Sequence, residues 1–125
     1  MMDHRVVSDG GLTGTSTGFD VDVRLPWYRT LPLSVVEVVE VILDGETIER
    51  EKVSFELNGE NLRLDQLRPR SDDWWYVLDS ALLHVDHEPV ASGTEHEVSV
   101  TIAVRPPYIQ GLNRIVKTTK TLTAN

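Results

Sequence analysis

Hydrophobic and polar residues alternate along most of this chain with a period of two residues. Over residues 96–104, every second side chain is His, Val or Ile, and the intervening ones are mainly polar. Residues 19–25 and 53–57 show the same alternation. Since successive side chains of a β-strand point to opposite faces, this period predicts strands with one buried face.

The segment "SVVEVVEVIL" (residues 34–43) is apolar on both faces of its predicted strand. Its many β-branched residues favour a strand over a helix, because branching at Cβ stiffens χ1 and packs well on a pleated surface. In a regular strand, one face would carry Val36, Val38 and Ile42, and the other Val35, Val39 and Val41. We therefore expect a central strand, or one whose outer face is covered.

The order of predicted elements indicates an all-β protein. Seven or eight short strands are separated by turn signals such as Asp44-Gly45 and Asn58-Gly59, and no long helical pattern occurs. We predict an antiparallel β-sandwich of immunoglobulin/fibronectin-like architecture over residues 17–125, although strand number alone leaves a barrel open. Residues 1–16 are rich in Gly, Ser and Thr and are predicted to be flexible, with one short edge strand around Arg5–Val7.

Composition narrows the classes of function. The chain has 125 residues and a net charge of -8, which suits one domain and disfavours binding to nucleic acids or anionic membranes. It has no cysteine, so disulfides and thiolate chemistry are excluded. No signal peptide is recognisable and no apolar run approaches the ~20 residues of a membrane span, so we expect a cytoplasmic protein.

The densest group of candidate metal ligands is "HVDHEP", with His84, Asp86, His87 and Glu88. His84 and Asp86 would share one strand face, but a catalytic metal site needs three or four convergent ligands and an open position. The alternative is a solvated strand end, which we favour. His96 is interpreted as a structural histidine at a sandwich corner. We assign no catalytic residue and no metal ligand to this chain.

Aromatic residues cluster in two segments, Trp27-Tyr28 and Trp74-Trp75-Tyr76. Consecutive residues of a strand face opposite ways, so Trp74 and Trp75 cannot both enter the same core. The stretch "DVRLPWYRT" (residues 22–30) is also echoed by "AVRPPYIQG" (residues 103–111), and both have the aromatic, prolyl and arginyl composition of a binding hot spot.

If both strands point the same way, these two loops form one surface at one end of the sandwich. The residues predicted to contact a partner are Arg24, Pro26, Trp27, Tyr28, Arg29, Trp74, Trp75, Arg105, Pro107, Tyr108 and Ile109.

An ordered string of motifs resembles a known family. "VRLPWYRTLPLSVVEVVEVILDGETI", "VSFELNG", "RLDQL", "DDWWYVLD" and "GTEHEVSVTIAVRPPYI" are similar to the small β subunit of bacterial C-glycoside deglycosidases. The resemblance extends from about Gly18 to Leu122 and includes the order of the motifs.

The resemblance implies a two-component lyase in which this chain is the non-catalytic β-sandwich subunit. The larger α subunit would be a sugar-isomerase-like barrel carrying a divalent metal, usually manganese, and the acid–base residues. Together they would cleave the C–C bond between a 3-oxo sugar and an aromatic aglycone such as a flavonoid. A ketone at C3 acidifies the proton at C2, which permits elimination where no glycosidic oxygen can be protonated.

Two other functions stay open at this point. The chain could be an independent carbohydrate- or flavonoid-binding module that stacks ligands on Trp27, Tyr28 and the exposed member of the Trp74/Trp75 pair. It could also be a metalloenzyme built on His84, Asp86 and His87. Expression of the chain alone and together with its neighbouring barrel-encoding gene separates these functions.

Overall fold

A computed structural model describes residues 6–125, and Arg5 of the predicted edge strand lies outside this range. The described part of the chain forms eleven strands and three short 3₁₀ helices. The strands are β1 (Val7–Thr15), β2 (Gly18–Arg24), β3 (Leu31–Pro32), β4 (Val36–Leu43), β5 (Glu46–Thr47), β6 (Val53–Leu57), β7 (Glu60–Arg63), β8 (Trp74–Trp75), β9 (Ser80–Asp86), β10 (Glu95–Val104) and β11 (Arg114–Thr123). The 3₁₀ helices are Leu33–Val35, Arg50–Lys52 and Leu64–Gln66.

Two antiparallel sheets form the two layers of the sandwich. One has the strand order β1-β2-β9-β6-β7, and the other has the order β11-β10-β4-β5. A third, two-stranded sheet pairs β3 with β8. The predicted all-β sandwich is thus confirmed, with separate sheets rather than one closed barrel. The strands β3 and β5 have two residues each, too few for an alternating pattern, which is why the sequence predicted fewer strands.

The core lies between the two main sheets and takes one face from each. Phe19, Phe55 and Leu83 from the five-stranded sheet belong to the same buried cluster as Val100 and Ile102 from the four-stranded sheet. These are the inward positions of the period-two pattern. Burial of such apolar surface, at about 25 cal/mol per Å², is the main force that holds the sheets together.

A β-bulge in β4 corrects the predicted faces of that strand. Val38 pairs with Ile102 of β10 and Glu40 pairs with Thr101, so Val39 is an extra residue without a partner on β10. The shift turns Val41 toward the core beside Val38, and both are almost fully buried. The regular alternation, which grouped Val41 with Val39, is therefore wrong beyond the bulge, because an inserted residue reverses the facing of all that follow.

The glycine-rich N-terminal segment, predicted to be flexible, forms a nine-residue strand in β1. Its pairing with β2 includes a register shift between Val7 and Leu12, where Gly10 has a φ of +68°. A Cβ at Gly14 would lie 1.9 Å from the carbonyl oxygen of Val90. These glycines therefore permit a bulge and a close backbone approach rather than a loose chain.

One side of the sandwich is closed and the other is open. On the closed side, β1 lies beside β11, and the Asn125 N–H donates to the Leu12 carbonyl at 2.9 Å. On the opposite side, β5 and β7 are the sheet edges, and no strand joins them within residues 6–125. In that same range, no helix is long and apolar enough to cross a membrane.

Candidate interaction surface

Large apolar side chains are exposed together at one end of the sandwich, which we call the aromatic end. It comprises Tyr28, Trp74, Tyr76, Leu78, Tyr108 and Ile109. Trp74 belongs to β8, and the other five residues lie on the three loops that follow β2, β8 and β10. Contiguous exposed apolar surface of this kind is typical of an interaction site.

Hydrogen bonds hold the three loops side by side. The indole N–H of Trp27 donates to the hydroxyl of Tyr108, which joins the first loop to the third. The backbone N–H of Val77 donates to the Thr30 hydroxyl at 3.1 Å, and Leu31 pairs with Trp75, which joins the first loop to the second. The prediction that the two echoed segments meet at the same end is confirmed.

A cation lies against two of the exposed rings. The guanidinium carbon of Arg29 is 5.7 Å from the centroid of the Tyr28 ring and 5.6 Å from that of Tyr108. Tyr28 in turn lies against Trp27, with ring centroids 4.9 Å apart. Cation–π contacts of this length are attractive, so the cluster is ordered before any partner arrives.

The two adjacent tryptophans face opposite ways, as the alternation predicts. Trp74 is 44% exposed, whereas Trp75 is 0% exposed. The Trp75 ring meets Phe55 edge-on at 5.4 Å, and its indole N–H donates to the Asp79 carbonyl. The assignment of Trp75 to a partner surface is therefore wrong in this conformation, because the side chain belongs to the core.

The two arginines at matching positions of the echoed segments, Arg24 and Arg105, do not join the aromatic end. Arg24 donates to the Ser80 hydroxyl at 3.2 Å, and Arg105 donates to Glu37 at 3.4 Å. Each arginine follows an inward-facing valine, so the two lie on the outer faces of different sheets. The echo in sequence therefore brings the aromatic residues together and separates the arginines.

The other predicted contact residues divide by burial. Trp27 and Pro26 are buried, and Tyr28, Arg29, Pro107, Tyr108 and Ile109 are exposed. The sequence prediction missed Tyr76 and Leu78, which are 57% and 77% exposed. Extending the period of two from Trp74 would have placed both on the outward face.

The predicted metal-ligand candidates do not converge. His84 lies between two carboxylates on the outer face of the five-stranded sheet, 2.7 Å from Asp20 and 2.6 Å from Glu56. His87 instead contacts Glu46 at 3.2 Å. Among residues 6–125, no group of three His, Asp or Glu side chains could hold a metal ion.

His96 is a structural histidine, as predicted. Its ring nitrogens lie 2.6 Å from the Asp44 carboxylate and 2.8 Å from the Thr94 hydroxyl. Asp44 also accepts the backbone N–H of Glu97 at 2.8 Å. The hydrogen bond with His96, followed by that with Glu97, lowers the pKa of Asp44. Together these contacts fix the turn between β4 and β5 against the start of β10.

The stability of the fold should fall as pH rises through the pKa of His84. Burial alone would lower this pKa, but hydrogen bonds with Glu56 and Asp20 outweigh it and raise the pKa above the ordinary value of 6.5. The folded state therefore binds the proton more tightly than the unfolded state does, which adds to the free energy of unfolding. This added stability is fully present below about pH 6.5, the ordinary pKa of histidine, and is lost as pH rises above the pKa of His84 in the folded state. Urea unfolding across pH 6 to 9 measures it.

Replacement of His84 with Gln is expected to flatten that pH dependence. Some dependence should persist, because the pKa of His87 is raised as well, chiefly by its hydrogen bond with the Glu88 carbonyl. His87→Gln serves as the matched variant. If the free energy of unfolding of His84→Gln depended on pH as steeply as that of the wild type, the ionic contacts of His84 with Asp20 and Glu56 would be contradicted.

The fold and the aromatic end define a class of protein, a two-sheet β-sandwich with a cluster of exposed aromatic side chains at one end. Comparison with known proteins specifies the family. The family model described as C-glycoside deglycosidase beta subunit matches residues 1–108. The chain belongs to this family.

Individual relatives support the same assignment. A C-glycoside deglycosidase beta subunit of Microbacterium trichothecenolyticum is 38% identical, over 98% of this chain and 88% of its own length. A 3'-dehydrocarminate deglycosidase beta subunit of a Microbacterium species is 33% identical, over 87% of this chain and 82% of its own. A C-glycoside deglycosidase beta subunit of Arthrobacter globiformis is 31% identical, over 87% of this chain and 83% of its own.

Proposed function

We propose that this chain is the non-catalytic beta subunit of a heteromeric C-glycoside deglycosidase and that its aromatic end contacts the larger alpha subunit. The observation that carries the proposal is the family match over residues 1–108, together with relatives that are themselves named beta subunits. A beta subunit needs a surface for its partner, and the aromatic end has the composition of one.

The aromatic end is suited to a protein partner for three reasons. Its rings are large and exposed, so their burial in an interface removes much apolar surface from water. Tyr, Trp and Arg are the residues most enriched among interface hot spots. The Trp27–Tyr108 hydrogen bond and the Arg29 contacts fix the rings in advance, which reduces the entropy lost on association.

The reaction proposed for the assembled enzyme is cleavage of the C–C bond between a 3-oxo sugar and an aromatic aglycone such as a flavonoid. The bond has no glycosidic oxygen to protonate, so two-carboxylate hydrolysis has no point of attack. The ketone acidifies the C2 proton, and a base removes it to give an enolate. Protonation of the aglycone ring carbon then lets the C1–aryl bond break, which leaves a C1–C2 double bond in the sugar and a neutral aglycone.

We place the acid–base groups for this chemistry on the alpha subunit. That subunit is proposed to be a sugar-isomerase-like barrel that holds a divalent metal, expected to be manganese. The described residues of the present chain do not fit such a metal, since His84 and His87 are directed to separate carboxylates. Its part in the reaction is to assemble with and stabilise the catalytic subunit. The cytoplasmic location expected from the sequence stays a prediction.

Activity should require both chains. The chain is to be co-expressed with its proposed alpha subunit and assayed for aglycone release from a 3-oxo-C-glucoside. We expect turnover from the purified complex and none from this chain alone, because the acid–base groups belong to the alpha subunit. The proposal would be overturned if the two products failed to co-purify, or if the lone chain released aglycone.

A second candidate is an independent carbohydrate- or flavonoid-binding module. The exposed Tyr28 and Tyr108 rings with Arg29 between them favour it, since planar ligands stack on such surfaces. Calorimetric titration of the isolated chain with a free flavonoid and with an oligosaccharide separates the two functions. Saturable binding by a chain that forms no complex with the alpha subunit would favour the module.

A further inference from the structure

The open side of the sandwich exposes an edge of β4. On the side away from β10, β5 pairs only with Ile42 and Leu43, and the backbone N–H of Ile48 donates to the Val41 carbonyl at 2.9 Å. Residues 36–41 therefore pair with no further strand on this side within the described chain. The guanidinium of Arg50 reaches this edge and donates to the carbonyl of Val38 at 2.6 Å and to that of Val39 at 3.4 Å. Native proteins commonly cover such edges, because an unpaired edge accepts strands from other chains.

Arginines concentrate beside this edge in a chain whose net charge is -8. We call the feature the arginine groove, and it is bordered by Arg50, Arg63, Arg68 and Arg105. Arg50 bonds to neutral carbonyls, so its charge is not cancelled there. Arg68 is exposed and has no ion pair with the described part of the chain.

Three acidic residues, Glu37, Glu51 and Asp65, also border the arginine groove, and the two that contact its arginines do so at long distances. Asp65 lies 3.4 Å from Arg63, and Glu37 lies 3.4 Å from Arg105. Both pairs are substantially exposed, so water and salt screen their attraction. A carboxylate from another molecule could therefore replace either partner at little cost.

The floor of the groove is apolar, and its volume suits side chains. Leu64 and Leu67 are buried beneath the stretch between Arg68 and Arg105, which encloses ≈ 310 Å³. The Arg105 N–H donates to the Val35 carbonyl at 2.9 Å, which ties the groove to the 3₁₀ helix next to β3.

We propose that the arginine groove binds an extended acidic segment of the alpha subunit, which lies along the free edge of β4 with its carboxylates against Arg50, Arg68 and Arg105. The inference rests on the proposed function, because it takes the alpha subunit as the partner. Charge complementarity selects an acidic segment, and the free edge selects an extended one. Arg50 exchanges its two carbonyl contacts for a carboxylate as the segment enters.

Charge reversal tests the groove without disturbing the fold. Arg68→Glu is the test variant, since Arg68 makes no ion pair within residues 6–125. Lys117→Glu is the matched control, because Lys117 is exposed on the outer face of β11 and undergoes the same change of charge. The dissociation constant for the alpha subunit is to be measured for both variants at low and high salt, with thermal unfolding as a check on folding.

We expect Arg68→Glu to weaken binding by about tenfold or more and Lys117→Glu by less than about twofold. Added salt should weaken the wild-type complex more than that of Arg68→Glu, since the variant has already lost the attraction. Hydrogen exchange of the amides of residues 36–41 should slow on complex formation.

The outcomes distinguish failure of the arginine groove as a binding site from failure of the proposed subunit role. A stable complex with equal affinities for both variants, or with unchanged exchange at residues 36–41, would overturn the groove while leaving the subunit role intact. Absence of any complex with wild-type protein would overturn the subunit role and the groove with it.

Discussion

Replacing Trp75 with alanine should lower the free energy of unfolding by about 3–5 kcal/mol. The side chain is fully buried and contacts Phe55 edge-on. Its removal leaves a large cavity and deprives the Asp79 carbonyl of the indole N–H that it accepts at 2.9 Å. Urea denaturation of the isolated chain, followed by circular dichroism, measures the loss.

Trp74→Ala is the matched control, because it removes the same side chain from the next residue of the same strand. Trp74 is 44% exposed and faces away from the core, so we expect its loss to cost less than about 1 kcal/mol. Similar losses for the two variants would contradict the assigned facing of β8. If Trp74→Ala lowered the free energy of unfolding more than Trp75→Ala did, Trp74 would be the ring that faces the core.

The tryptophan pair shows what alternation can and cannot predict. The period of two requires that one of the two rings face inward, and this holds. Which ring is buried depends on the pairing of β8 with β3, where Leu31 lies opposite Trp75. That pairing joins residues more than 40 positions apart, so no local pattern contains it.

Departures from the predicted faces have the same origin. The bulge at Val39 depends on how β4 meets β10, and the close approach of Gly14 depends on Val90 far along the chain. Glycine-rich sequence is compatible with a flexible segment or with a tightly packed strand. The tertiary neighbour decides between them, which is why β1 was predicted to be flexible.

The candidate surface was partly readable from the sequence because its two main loops carry the same signature. The meeting of Trp27 with Tyr108 follows from that echo once both strands end on the same side. The surroundings of His84 were not readable. Its carboxylate partners, Asp20 and Glu56, lie 64 and 28 residues away, whereas the sequence drew attention to the adjacent acidic residues instead.

Replacing Tyr28 with alanine should weaken binding to the alpha subunit by about 30-fold or more, equivalent to a hot-spot loss of about 2 kcal/mol. Tyr28 is 55% exposed in the isolated chain, and its ring lies between Trp27 and the guanidinium of Arg29. The exposed part of the side chain is thus available for burial by a partner. Titration of the purified alpha subunit with each variant measures the affinity.

Ile115→Ala distinguishes the aromatic end from exposed apolar surface in general. Ile115 is 60% exposed, but it lies on the outer face of β11 and outside the aromatic end. Its truncation should leave the affinity within about twofold, because it removes no contact in the proposed interface. Both variants should unfold at nearly the wild-type urea concentration. If Ile115→Ala weakened assembly more than Tyr28→Ala did, the partner would have to dock on the outer face of the four-stranded sheet, and the aromatic end would need another ligand to explain its order.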